Sequence, residues 1–132
     1  MQDGVTIGRL AKAAGVNVET IRYYQRRGLI AEPHKPLGGH RRYPSLVMQQ
    51  IAFIRRAQQL GFSLAEVKSL MDLADGRNPK ATRLIAEKKH ANLELHIAQL
   101  SLMRRRLKIL IDKSRKAPKG RDPVIEALSS ED

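Results

Sequence analysis

The stretch "VNVETIRYYQRRGL", residues 16–29, has the pattern of a short helix whose polar face is both aromatic and basic. Asn17 is a typical N-cap and Gly28 a typical stop, so the pattern predicts a helix between them. At ~100° per residue, Tyr23 falls near the middle of the polar face, among arginines. Because burial does not explain an aromatic ring there, this face is a candidate binding surface.

A second short helix is predicted just upstream. Thr6 can cap it, residues 7–14 place their apolar side chains on one face, and Gly15 supplies a left-handed stop. Two short helices joined by a tight turn indicate a helix-turn-helix unit. The following stretch, "IAEPHKPLGGHRRYP" at residues 30–44, contains three prolines and the Gly38-Gly39 pair. This punctuation predicts a small β wing beside the second helix.

Two further helices are predicted after the wing, and the second opens with a capping box formed by Ser63 and Glu66. The sequence "DGRNP", residues 75–79, then breaks the chain. We therefore divide the protein into a compact domain, residues 1–76, and a C-terminal part, residues 77–132.

One long helix is predicted for the stretch from about residue 80 to residue 113. Its apolar residues step by threes and fours, close to the 3.5-residue repeat of a coiled-coil seam. The predicted seam comprises Leu93, Ile97, Leu100, Met103, Leu107, Leu110 and Ile111. A helix of ~50 Å with one apolar stripe has nothing of its own to pack against. We expect it to form a homodimer, parallel or antiparallel, and the alternative is that it folds back on the first domain.

The net charge indicates an acidic partner. Lys and Arg number 25 against 13 Asp and Glu, giving a formal charge of +12, which attracts nucleic acid or an acidic membrane surface. The chain has no cysteine, which excludes disulfides and thiolate chemistry. No apolar run approaches the ~20 residues of a membrane span, and the N-terminus has no secretory signal pattern. We therefore expect a cytoplasmic protein that does not contact a membrane.

Basic residues concentrate around the second helix and the wing. Residues 22–42 contain six Lys or Arg and one acidic residue, Glu32. Tyrosine hydroxyls donate to phosphates, and arginines bind phosphates or guanine edges. The pattern favours DNA binding over a solvated face whose arginines merely complement a helix dipole. A non-specific nucleic-acid compaction protein is the alternative, whereas no combination of residues suited to catalysis points to an enzyme.

Three segments together resemble the winged helix-turn-helix domain of the MerR family of bacterial transcription regulators, most closely its mercury-responsive branch. They are "TIGRLAKAAGVNVETIRYYQRRGLI" (6–30), "GGHRRYP" (38–44) and "RRAQQLGFSLAEVKSLM" (55–71), and "DPVIEAL" (122–128) is similar to the tail of that branch. The resemblance implies an all-α fold with a small β wing and a dimer joined by long antiparallel coiled-coil helices. It also implies a regulator that holds an overlong promoter spacer silent. On binding its effector, the regulator distorts this double-stranded DNA so that RNA polymerase can use both promoter elements.

The resemblance also implies which residues bind DNA. The residues that match the family's DNA contacts are Thr6, Arg22, Tyr23, Tyr24, Arg26, Arg41, Arg42 and Tyr43. The charge pattern of the wing adds Lys35 as a phosphate contact.

The chain departs from the family at the positions that bind the effector. Mercury sensors of this family hold the metal with cysteines, and the corresponding positions here are Pro79, Asp112 or Ser114, and Asp122. Because no soft ligand is present, we predict neither a mercury site nor any other bound metal or cofactor. A hard or borderline cation on Asp112 and Asp122, an organic effector and a sensor that has lost its response are the alternatives. Engineered replacement and natural divergence would both produce this pattern.

Overall fold

The computed structural model describes residues 4–36 and 39–130, which form six helices. They are α1 (Ile7–Ala14), α2 (Val18–Arg26), α3 (Leu46–Gln59), α4 (Leu64–Asp72), α5 (Pro79–Lys116) and α6 (Pro123–Ser129). The predicted helical class is confirmed. By its internal contacts the chain separates into two units, residues 1–86 and 87–132, a division that falls inside α5.

The helix-turn-helix forms as predicted because local caps fix both helix starts. The Thr6 hydroxyl accepts a hydrogen bond from the Arg9 N–H at 3.5 Å, and the Asn17 carboxamide accepts one from the Thr20 N–H at 2.8 Å. Gly15 ends α1 with φ 72°, a left-handed conformation that glycine adopts without a Cβ penalty. The tight turn leaves α2 at a defined angle to α1.

The core of the first unit lies between α1, α2, α3 and α4. α1 packs against both α2 and α3, and α3 packs against α4. The core residues are Leu10, Ala11, Ile21, Tyr24, Leu29, Ile30, Tyr43, Val47, Ile51, Ile54, Ala57 and Val67. Because α2 is held through Ile21 and Tyr24, its opposite face points to solvent.

The predicted β wing is not confirmed as a pair of strands. Within residues 31–36 and 39–44 the described backbone has no strand, and its β pairing is an isolated antiparallel bridge between Val5 and Tyr43. The prolines explain part of this difference, because a proline nitrogen cannot donate to a β ladder. Of the predicted Gly38-Gly39 turn, the first glycine and residue 37 before it lie outside the described residues.

The capping box at the start of α4 is confirmed. The Ser63 hydroxyl accepts a hydrogen bond from the Glu66 N–H at 3.2 Å. The Glu66 carboxylate accepts one from the Ser63 N–H at 2.8 Å. The two residues therefore satisfy each other's backbone donors at the helix end.

Replacing Ser63 with alanine is expected to lower the free energy of unfolding by ~1 kcal/mol, because the Glu66 N–H loses its acceptor. Ser69→Ala in the same helix is the matched control, since Ser69 makes a back-bond to the Ala65 carbonyl oxygen and caps nothing. Urea unfolding followed by circular dichroism measures both variants. Equal losses would show that the capping box contributes nothing specific.

α5 is longer than predicted and none of its residues is buried in the chain. At 1.5 Å per residue its 38 residues extend ~57 Å. Six of the seven side chains of the predicted seam are exposed, among them Ile97 at 63% and Leu107 at 57%, and Leu110 is half-buried. No helix of the described part of the chain is both long and apolar enough to cross a membrane.

Candidate nucleic-acid interface

The outward face of α2 presents a row of basic and aromatic side chains. Arg22, Tyr23 and Arg26 are all exposed. The Arg26 guanidinium lies 5.8 Å from the centroid of the Tyr23 ring, within the range of a cation–π contact. Arg22 Nη1 lies 2.9 Å from Glu19 Oε1, an exposed pair that water screens strongly. The row is thus ordered by weak contacts that a ligand can replace at low cost.

A concavity of about 690 Å³ adjoins this face and brings six of the predicted contact residues together. They are Thr6, Arg22, Arg26, Lys35, Arg41 and Tyr43. They come from the start of α1, from α2 and from the segment after α2, three parts of the sequence that the fold joins. Four of the six carry a permanent positive charge, so the concavity favours an anion.

Arg41 is held in place by the segment that faces it. Its Nε donates to the Pro33 carbonyl oxygen at 3.1 Å and lies 3.1 Å from Glu32 Oε1. The Glu32 carboxylate therefore offsets part of the positive charge while it orients the guanidinium. Among the other predicted contacts, Arg42 is exposed but does not line the concavity, and neither does Tyr23.

Tyr43, one of the predicted contact residues, lies in the core and is 2% exposed. The backbone bridge to Val5 turns this ring inward, and its hydroxyl accepts a hydrogen bond from the Gln25 side chain. Gln25 also lines the concavity, although it was not among the predicted site residues. The sequence signal that could have identified Gln25 is an uncharged polar side chain on the apolar side of a helix.

Tyr24 is likewise a core residue, 5% exposed. Its hydroxyl donates to Gln58 Oε1 at 3.0 Å and so ties α2 to α3. Burial raises the pKa of Tyr24, and the positive charge of Arg55 opposes part of that rise. Gln58 and Arg55 were not among the predicted site residues, because a cross-helix hydrogen bond leaves no periodic pattern in the sequence.

The predicted effector positions are engaged in local interactions. Pro79 is the first residue of α5. Asp112 pairs with Lys108 at 2.9 Å. Asp122 caps α6 by accepting from the N–H groups of Val124 and Ile125, each at 3.1 Å. Ser114 is exposed. No group of three His, Cys, Asp or Glu side chains suited to a metal ion occurs in the described ranges 4–36 and 39–130.

Taken together, these features define a helix-turn-helix protein with a basic, partly aromatic recognition helix, which is a class of DNA-binding proteins. Residues 5–74 match the family described as "MerR HTH family regulatory protein", and residues 48–110 match the one described as "MerR, DNA binding". The chain belongs to the MerR family of transcription regulators and is not an enzyme.

Known relatives agree with this assignment. The chain is 46% identical to a mercuric resistance operon regulatory protein of Pseudomonas fluorescens over 101 residues, which are 76% of this chain and 70% of that protein. It is 36% identical to a mercuric resistance operon regulatory protein of Bacillus cereus over 126 residues, covering 92% and 95% of the two chains. A lead(II)-bound transcription regulator from Ralstonia metallidurans superposes with a TM-score of 0.81 at 26% identity, covering 95% and 99%.

Proposed function

We propose that this regulator binds one promoter site as a homodimer, represses transcription there, and activates it when an effector binds. Activation would distort an overlong promoter spacer so that RNA polymerase engages both promoter elements. The observation that carries the proposal is the basic concavity beside α2, which joins Thr6, Arg22, Arg26, Lys35 and Arg41 from separate segments of the sequence. The exposed row on α2 supplies the surface that would enter a major groove.

Within this proposal, the contacts divide by what they touch. Arg22 reads a base edge, since an arginine forks onto guanine in the major groove. Tyr23 and Arg26 lie beside it on α2 and contact the sugar–phosphate backbone. Phosphates are also bound by the residues at the start of α1 and in the segment after α2: Thr6, Lys35, Arg41 and Arg42.

We assign Tyr24 and Tyr43 a positioning role instead of a direct contact with DNA. Tyr24 anchors α2 to α3 through Gln58. Tyr43 anchors Gln25, and with it one wall of the concavity. Both rings are buried, so DNA reaches neither ring face.

Distorting the promoter costs several kcal/mol, so the protein must grip phosphates on both sides of the deformed step. One domain supplies contacts on one side only. A homodimer joined through the exposed α5 seam, with its helices antiparallel, supplies two such grips. The proposed mechanism therefore needs a dimer, and the exposed apolar seam supports one.

The effector region proposed from the sequence comprises Pro79, Asp112, Ser114 and Asp122. A cation bound by the two aspartates would compete with Lys108 for Asp112 and with the cap of α6 for Asp122. An effector that acts here therefore has to displace one of these contacts, which gives it a direct way to alter the end of α5.

In-vitro transcription from the promoter upstream of the protein's own gene tests the proposal, with and without a panel of metals that includes Hg(II). The proposal expects repression by the protein alone. Induction by a metal would assign the effector to the histidines and aspartates of the C-terminal part, His90, His96, Asp112 and Asp122. Repression that no metal relieves would assign it to an organic molecule or to a sensor without a response. Transcription unaffected by the protein would contradict the proposal.

Two single substitutions distinguish a residue that reads a base from a residue that contributes only positive charge. Arg22→Ala is expected to weaken operator binding about tenfold and to relax sequence preference, because a base contact is worth ~1–3 kcal/mol. Lys35→Ala is expected to weaken all sequences alike and to reduce the salt slope by about one. Fluorescence anisotropy on operator and scrambled DNA at several salt concentrations measures both. Equal loss on both DNAs for Arg22→Ala would remove Arg22 as a base reader.

A further inference from the structure

α5 carries a second row of apolar side chains that the proposed dimer seam does not use. Leu95, Leu102 and Ile109 follow one another at intervals of seven residues. At ~100° per residue, this row lies roughly opposite the seam residues Leu93 and Leu100. Its side chains are exposed, at 61%, 39% and 55% respectively. Because a two-stranded coiled coil covers one face of each helix, the row is left uncovered in the dimer.

The C-terminal half of this row is flanked by cations without partners. Arg105, Arg106, Lys113 and Lys116 are exposed and form no ion pair among the described residues. One acidic residue, Asp112, occurs after Glu94 in α5, and Lys108 already holds it at 2.9 Å. Uncompensated like charges beside an apolar row repel one another in the free protein. An acidic partner would relieve that repulsion.

Two concavities lie along this face. The first, of about 490 Å³, is formed by Arg104, Arg105, Lys108 and Ile109. The second, of about 580 Å³, lies between the end of α5 and α6 at the edge of this face. Its lining includes Lys113, Lys116, Pro118, Pro123 and Ala127, together with Leu110 of the predicted seam. Each combines apolar walls with a cationic rim, so each suits an apolar side chain that has a carboxylate beside it.

The remaining cation of the second concavity is already neutralised. Arg121 donates to Glu126 through Nη2 at 2.8 Å and through Nε at 3.2 Å. That hydrogen bonding lowers the pKa of the Glu126 carboxyl. Lys113 and Lys116 are therefore the two cations at this end that a ligand can still pair with.

We propose that the outer face of α5, defined by Leu95, Leu102, Arg105, Arg106 and Ile109, docks an acidic amphipathic helix of another protein. The proposal rests on the dimer of the proposed function, which leaves this face free. A helix is the fitting partner because its own apolar residues recur at i, i+3, i+4 and i+7, matching a row with seven-residue spacing. Flanking carboxylates on the partner would meet the arginines and set its register.

Other occupants match the face less well. A phosphate backbone would satisfy the cations but leave Leu102 and Ile109 uncovered, since DNA offers charge and little apolar surface there. A second copy of the same face in register would set the cationic flanks against one another, which is unfavourable. An acidic helix satisfies both the apolar row and the charges.

The test uses the full chain and two labelled, helix-stapled peptides with identical apolar residues. One has glutamates beside the apolar row and the other has lysines, and fluorescence anisotropy measures binding. The wild type is expected to bind one glutamate peptide per protomer and the lysine peptide at least tenfold more weakly. Arg105→Glu with Arg106→Glu should reverse this preference, whereas the control pair Lys12→Glu with Arg56→Glu on the first unit should preserve it.

A second variant separates the apolar contribution. Leu102→Ser with Ile109→Ser should weaken binding of the glutamate peptide about tenfold while the protein stays dimeric in sedimentation.

Equal binding of both peptides by the wild type would overturn the proposal. So would a tetramer that this variant converts to a dimer, because a second copy would then cover the face. The proposal would also be overturned if the Arg105/Arg106 variant lost DNA affinity and the wild type bound neither peptide. A monomeric wild type that binds the glutamate peptide selectively would contradict the dimer and support the docking face.

Discussion

Replacing Leu100 with glutamate is expected to convert the dimer to a monomer and to weaken operator binding by ~100-fold or more. Leu100 lies near the middle of the predicted seam and is 49% exposed in the single chain. In an antiparallel pair, the two introduced carboxylates would come close together in an apolar interface, where neither has a partner. Loss of the dimer then removes one of the two grips on the operator.

Leu95→Glu is the matched control for this experiment. Leu95 belongs to the same helix and is more exposed, but it lies on the outer face of α5. Sedimentation velocity gives the oligomeric state and a gel-shift titration gives the operator affinity. A Leu100→Glu protein that stays dimeric, or a Leu95→Glu protein that dissociates equally, would contradict the assignment of the seam.

Replacing Ile54 with alanine is expected to lower the free energy of unfolding by about 2–5 kcal/mol. Ile54 is 0% exposed in the core of the first unit, so the change leaves a cavity that its neighbours fill only in part. A small domain has only ~5–15 kcal/mol in total, so much of its stability would be lost. Operator binding should fall with it, because α2 depends on this core for its orientation.

Leu46→Ala in the same helix is the control for this loss. Leu46 is 57% exposed, so its truncation should change the free energy of unfolding by less than ~0.5 kcal/mol. Urea unfolding followed by circular dichroism measures both variants. Similar losses for Ile54→Ala and Leu46→Ala would show that the core does not lie where the structure places it.

The helices of the fold were predictable because each one carries a local signal. Asn17 caps α2, Gly15 ends α1, and Ser63 opens α4, and all three act through neighbours within a few residues. The β wing was not confirmed because its punctuation, glycine and proline, specifies turns without specifying a pairing partner. In the described residues the pairing instead links Tyr43 to Val5, across 38 positions in sequence.

Charge in the sequence indicates several of the side chains that line the concavity, and packing indicates none of them. Arg22, Arg26, Lys35 and Arg41 stand out from their charge and line the concavity, whereas Arg27 and Arg42, which carry the same charge, do not. The burial of Tyr43 was not predictable, because an aromatic residue after two arginines suits a surface as well as a core. Its neighbours in space come from distant parts of the chain.

In the proposed function, the protein is a dimeric regulator that binds one specific promoter site. DNase I footprinting tests it most directly, on the DNA upstream of its gene and with excess competitor DNA. We expect protection of a single site with two-fold symmetric halves, lost together in the Leu100→Glu protein. Uniform protection along the whole fragment would contradict it and would indicate a non-specific compaction protein that uses the same charge.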